Sequence, residues 1–156
     1  MDQQTTEVYY HAVILENMES REDIIRSLST YLLEKGYVAE QYQPATLERE
    51  EIYPTGLATK PIGVAVPHSQ AENVKRPAII MGISKKQVTF HEMGNADSEI
   101  DVGVVFLLAL KKENAHLNYL RNIVNFCKIE ENIIRLYQSK SDKEAYNVLV
   151  TEILCE

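Results

Sequence analysis

Residues 102–110 read VGVVFLLAL, nine positions without a polar side chain. The run is too short for a membrane span, which takes about 20 residues as a helix. It is nearly continuous in apolar residues instead of alternating with polar ones. That is the pattern of a strand buried on both faces. Such a strand needs a covering layer on each side, and the flanking sequence offers helices for both. Upstream, Ser20 reads as an N-cap, and Ile24, Ile25, Leu28, Leu32 and Leu33 recur at helical spacing until Gly36 stops them. A second helical pattern covers about 43–52 and ends before Pro54. Downstream, Asn114 reads as the cap of a helix carrying Leu117, Leu120, Val124 and Cys127 on one face. Ile133, Ile134, Leu136 and Tyr137 fit a short helix, and Ser141 with Glu144 forms a capping box ahead of a last one. The remaining apolar runs read as strands: 62–66, closed by Pro67; 78–83; and a short edge strand at 87–90. Residues 8–15 are β-prone. The hairpin-short connection at 84–87 favours a mixed sheet over a purely parallel one. The expected fold is α/β: a single domain over 1–156, its core about 8–154, with a central mixed β-sheet flanked by helices on both faces.

The 156 residues match the size of one domain. At that length a core forms without disulfide or metal staples. Asp and Glu number 23 against 16 Lys and Arg, a formal net charge of -7. A chain this acidic is a poor binder of nucleic acid or anionic membranes, and its charge suits a basic protein partner. Cys127 and Cys155 lie far apart with no CxxC spacing, so neither a disulfide framework nor a zinc site is expected. The N-terminus MDQQTTEVYY lacks the basic start and apolar stretch of a signal peptide, which points to the cytoplasm. GxxxxGK[ST], GxGxxG, HExxH and GxSxG are all missing. No nucleotide cradle, metal site, cofactor or serine nucleophile is expected.

Four histidines remain. His11, in the opening apolar segment, and His91, after Phe90, read as surface or strand-end residues. His68 stands just past the strand IGVAVP, where α/β folds place ligands, and Pro67 fixes its backbone. By position it is either a functional group or a structural turn histidine. His116 falls in the first turn of the helix assigned to an Asn114 cap. The helix dipole there favours an anion, to which a neutral imidazole can donate. The alternative is a helix-start histidine with no role. Arg49 sits among Glu48, Glu50 and Glu51, and spacing alone makes it part of a solvated, charge-paired helix face.

The order of these pieces is more specific than any one of them. REEIYPTG is followed by IGVAVPHS, then the buried strand, then KKENAHLNYLRNIV. The set resembles the fructose/mannitol-type enzyme IIA family of the bacterial phosphoenolpyruvate-dependent sugar phosphotransferase system, over about residues 8–154. Its most specific part is Pro54-Thr55-Gly56 with VAVPH, His68 standing twelve residues after Gly56. EREEIYPTG and DSEIDVGVVFLLAL look most like galactitol-type members, although His116 is a histidine that galactitol-type members can lack. Ser69 stands where many relatives have glycine. The resemblance implies a fold, one α/β domain with a mixed sheet, and a set of roles. His68 accepts the phosphoryl group, Arg49 lies beside it, and His116 assists. It also implies partners: the phosphocarrier HPr as donor, a IIB cysteine as acceptor, and indirectly the IIC membrane transporter, all as separate chains. An apolar patch ringed by acids is expected near His68 for docking. The competing reading is a regulatory domain in which the phosphohistidine is a switch acting on a partner protein.

Overall fold

The computed structural model describes residues 7–154, apart from the side chains of 113–115. In chain order the elements are β1 (Tyr9–Leu15), α1 (Arg21–Glu34), α2 (Tyr42–Ile52), β2 (Gly56–Leu57), β3 (Gly63–Ala65), β4 (Ala78–Glu92), β5 (Asn95–Ala109), α3 (Glu113–Cys127), α4 (Glu130–Tyr137) and α5 (Asp142–Val148). The sheet is mixed. β1 runs parallel to β4, β4 antiparallel to β5, β5 parallel to β3, and β3 antiparallel to β2. Gly56 of β2 also pairs with Glu92 at the far end of β4. A Cβ on Gly56 would lie 2.5 Å from the His91 carbonyl oxygen, so only glycine lets the strands approach this closely.

The apolar run 102–110 lies almost wholly inside β5. Val104, Phe106 and Leu108 point to one face, and Val105, Leu107 and Ala109 to the other; none is more than 2% exposed. Ile24, Leu28, Leu32 and Tyr42 of α1 and α2 cover the second face. Ile123, Ile133, Leu136 and Ala145 of α3, α4 and α5 cover the first. The expected α/β sheet with helices on both faces is the observed one.

The helix boundaries follow local chemistry. The Ser20 hydroxyl accepts from the Asp23 N–H at 3.1 Å, and the Asp23 carboxylate accepts from the Glu19 N–H. At the end of α1, Gly36 adopts φ +83°, its N–H bonding Leu33 and that of Tyr37 bonding Leu32. This is the Schellman arrangement, which glycine accommodates without strain. Ser141 caps α5 through the Glu144 N–H, while the Glu144 carboxylate reaches the Lys140 N–H, one residue earlier than in the usual box.

Three local expectations are corrected. Residues 84–87 are not a hairpin connection, since β4 continues through them to Glu92. Between the pairs Ile83–Val104 and Val88–Val102, four residues of β4 face one of β5, which makes a bulge. The Tyr137 hydroxyl lies 2.7 and 2.8 Å from the carbonyl oxygens of Ser84 and Lys85 and pins it. A polar cluster between apolar runs reads as a turn, but here side chains from another layer satisfy it. Second, 87–90 is not a separate short strand but the second half of β4, where Val88, Thr89 and Phe90 pair with β5. The true hairpin turns at Met93–Gly94, so the sheet is mixed for a different reason than the one inferred. Third, the N-cap of α3 is Lys112 and not Asn114, whose side chain lies outside the described residues, as does Cys155. Cys127 is buried and unpaired by any disulfide. No helix among the described residues is long and apolar enough to cross a membrane.

Candidate functional site

β3 and β5 are parallel neighbours, so their C-terminal ends open on the same edge of the sheet. Crevices at such ends are where open α/β sheets bind ligands. Beyond β3 the chain passes through Val66 and Pro67 to His68. The Leu108 N–H donates to the Pro67 carbonyl at 3.0 Å, and His68 bridges to Leu108, which fastens the corner to β5. Beyond β5, the first turn of α3 brings in His116. The rings of His68 and His116 lie 4.8 Å apart between centroids, tilted by 37°. The last turn of α2 contributes Arg49.

Arg49, His68, Ser69, Gln70, Ala71, His116 and Leu117 line one cleft of about 230 Å³. A neighbouring hollow of about 180 Å³ shares Arg49, Ser69 and Gln70 and extends to Glu48, Ile52 and Tyr53. The structure thus brings His68, His116 and Arg49 together. His11 and His91 lie elsewhere. His11 stacks on Tyr31 at 4.4 Å, and His91 Nδ1 is 2.7 Å from the Ala96 carbonyl oxygen. Arg49 is half-buried, with its guanidinium 5.2 Å from the centre of the Tyr53 ring, so it is not a freely solvated charge. Its Nε and the Ser69 Oγ are buried and have no hydrogen-bond partner among the described residues. Unsatisfied buried donors are costly unless something accepts from them. A basic wall with two spare donors suits an anion with several oxygens.

His68 is oriented from behind. Its Nδ1 lies 3.0 Å from the Val66 carbonyl oxygen, which can only accept, so Nδ1 carries the proton. Nε2 of the neutral ring is then unprotonated. Burial pushes the His68 pKa below the ordinary 6.5, His116 and Arg49 push the same way, and the Val66 hydrogen bond opposes them. The folded chain therefore binds fewer protons here than the unfolded chain. Stability from this group is present above about 6.5 and is lost as pH falls through the lowered value. In an NMR titration the His68 ring should be neutral at pH 7, with a midpoint below 6.5. A midpoint above 6.5 contradicts the burial argument.

Glu50 reads in the sequence as one more charge of a solvated face, and Thr55 as part of a motif without a role of its own. Both are buried, at 4% and 3% exposure. Glu50 shares the buried face of α2 with Tyr42 and Thr46, at i, i+4 and i+8. That spacing was the available signal, hidden by the neighbouring charges. Burial pushes the Glu50 carboxyl up to about 7, against the pull of the Thr55 N–H and O–H donors and of Arg21 and Arg49.

The family model described as "Phosphoenolpyruvate-dependent sugar phosphotransferase system, EIIA 2" matches residues 10–151. The chain belongs to this EIIA type 2 family. It is a phosphotransferase component of a sugar phosphotransferase system. The mannitol-specific phosphotransferase enzyme IIA component of Bacillus subtilis is 35% identical to this EIIA chain over 130 residues, 83% of this chain and 85% of that one. The galactitol-specific EIIA component of Escherichia coli K12 is 31% identical over 94 residues, 60% of this chain and 61% of that one. Among solved structures, enzyme IIA mannitol of Escherichia coli in complex with phosphorylated enzyme IIB mannitol superposes with a TM-score of 0.73 at 24% identity. The match covers 89% of this EIIA chain and 93% of that one.

Proposed function

We propose that this EIIA chain takes a phosphoryl group from phosphorylated HPr onto Nε2 of His68 and passes it to a cysteine of a IIB protein. The observation that carries the reading is the Nδ1 bond to Val66, which leaves Nε2 as the nucleophile beside Arg49 and His116. In the accepting step the Nε2 lone pair forms a new P–N bond in line as the donor's P–N bond breaks. The donor imidazole leaves with the electron pair. Positioning and stabilisation of the equatorial phosphoryl oxygens supply the catalysis. Arg49 offers charge and His116 a donor at the helix start. Passage to IIB repeats the displacement with a thiolate as nucleophile.

Ile52, Tyr53 and Leu117, each more than half exposed, stand around the cleft and give partners an apolar rim, with Glu48 beside it. The chain acts in the cytoplasm, ahead of a IIC transporter. The cargo is a polyol. Galactitol was the sugar favoured by EREEIYPTG, but the mannitol-type relative aligns with 83% of this chain against 60% for the galactitol-type one. Mannitol is therefore the first choice and galactitol the second.

Reconstitution with enzyme I, HPr and labelled phosphoenolpyruvate, followed by a panel of IIB proteins, tests this. Label should move fastest to a mannitol-type IIB cysteine. Label that stays on the EIIA chain with every IIB, while a partner protein changes activity, supports the regulatory reading instead.

A further inference from the structure

Behind His68 runs a chain of buried hydrogen bonds made by residues that do not line the cleft. The Glu50 carboxylate accepts the Thr55 N–H at 2.8 Å and lies 2.9 and 3.2 Å from the Thr55 hydroxyl. The same hydroxyl oxygen accepts the Val66 N–H at 3.1 Å. The other side of Val66, its carbonyl, holds His68 Nδ1 at 3.0 Å. The backbone ladder between β2 and β3 pairs Gly56 with Ala65. The Thr55 side chain therefore extends that ladder by one residue. A hydroxyl has one proton and two lone pairs, and here the proton goes to Glu50 while a lone pair takes Val66. Glu50 is also the residue after Arg49 on α2, so one carboxylate ties the helix end to the histidine corner.

We propose that Thr55 and Glu50 are positioning residues for phosphoryl acceptance: the Thr55 hydroxyl, held by Glu50, fixes the backbone of Val66 and through the Val66 carbonyl the tautomer and aim of His68. This rests on His68 being the acceptor. Neither residue touches the phosphoryl group. The Pro-Thr-Gly element thereby gains a physical reason: threonine supplies the link, and glycine the close approach to His91.

The test uses Thr55→Val, Thr55→Ser and Glu50→Gln in the full chain, with two readouts. One is the rate of label uptake from phosphorylated HPr. The other is the pair of ¹⁵N shifts of the His68 ring at pH 7.5, which report its tautomer without any transfer. Thr55→Val keeps the shape but loses the hydroxyl. It should slow uptake about 10- to 100-fold, the scale of a small misplacement of a reacting group, and shift His68 toward a mixture of tautomers. Thr55→Ser should restore both. Glu50→Gln should move both readouts in the direction of Thr55→Val, which keeps the test open if Thr55→Val fails to fold. Wild-type tautomer and rate in Thr55→Val or Glu50→Gln overturn the proposal. So does a Thr55→Ser chain as impaired as Thr55→Val, because serine keeps the hydroxyl and the loss then follows the packing of the side chain instead of its hydrogen bonds. A wild-type chain that takes no label overturns the transfer reading instead, and the ring shifts still decide whether Thr55 orients His68.

Discussion

His68→Ala takes no label from phosphorylated HPr, although the chain folds as before. The loss is complete because Nε2 of this ring is the nucleophile that the cleft prepares among the described residues. His68 is fixed by Val66 behind it, and the lowered pKa keeps it neutral at pH 7. His116 lies close enough to be mistaken for a substitute, its ring 4.8 Å away. Its place in the first turn of α3 suits a donor better than an acceptor of phosphorus. The fold survives because alanine keeps the backbone bonds that fasten this corner to Leu108 of β5, and among the described residues the side chain makes one hydrogen bond, to Val66. Acid-stability assay of the labelled protein, with circular dichroism as the control, measures both halves. An acid-labile phosphoryl group on folded His68→Ala moves the nucleophile elsewhere.

Arg49→Ala should lower the rate of phosphoryl acceptance by about 10²- to 10³-fold, the range for removing one preorganised donor to developing charge. Its Nε is buried without a partner among the described residues, on the wall that also holds His68. Arg49→Lys should recover only part of the loss. An ammonium is a point charge and cannot present the planar fork that engages two phosphoryl oxygens. Thermal unfolding should change little, since the guanidinium makes no ion pair within 4.0 Å among the described residues and its neighbour is the exposed Tyr53 ring. Rapid-quench kinetics separate the outcomes. An unchanged rate returns Arg49 to the solvated helix face that its flanking glutamates suggested.

Much of this was legible in the sequence because the decisive signals were local. The unbroken apolar run of β5 announced a strand buried twice over. Ser20, Gly36 and Ser141 marked helix ends through backbone chemistry that does not depend on distant contacts. The three residues of the cleft came from an ordered set of motifs, and topology explains why they meet. His68 follows β3, His116 follows β5, and these strands are parallel neighbours. What stayed hidden was tertiary. The bulge at Ser84–Gln87 has a turn's composition and is held within a strand by distant partners, among them the Tyr137 hydroxyl at its carbonyls. Glu50 carries the charge of its neighbours, yet the helix turns it inward to Thr55. Local polarity cannot show which of four consecutive charged residues, Glu48 to Glu51, is buried.

In the proposed relay Nε2 of His68 carries the phosphoryl group. Phosphorylating the ¹⁵N-labelled chain with enzyme I, HPr and phosphoenolpyruvate, then recording ³¹P and long-range ¹H–¹⁵N spectra, tests it directly. One phosphohistidine resonance is expected, with phosphorus on Nε2 of His68 and a proton on Nδ1. Phosphorus on Nδ1, on His116, or on no histidine contradicts it.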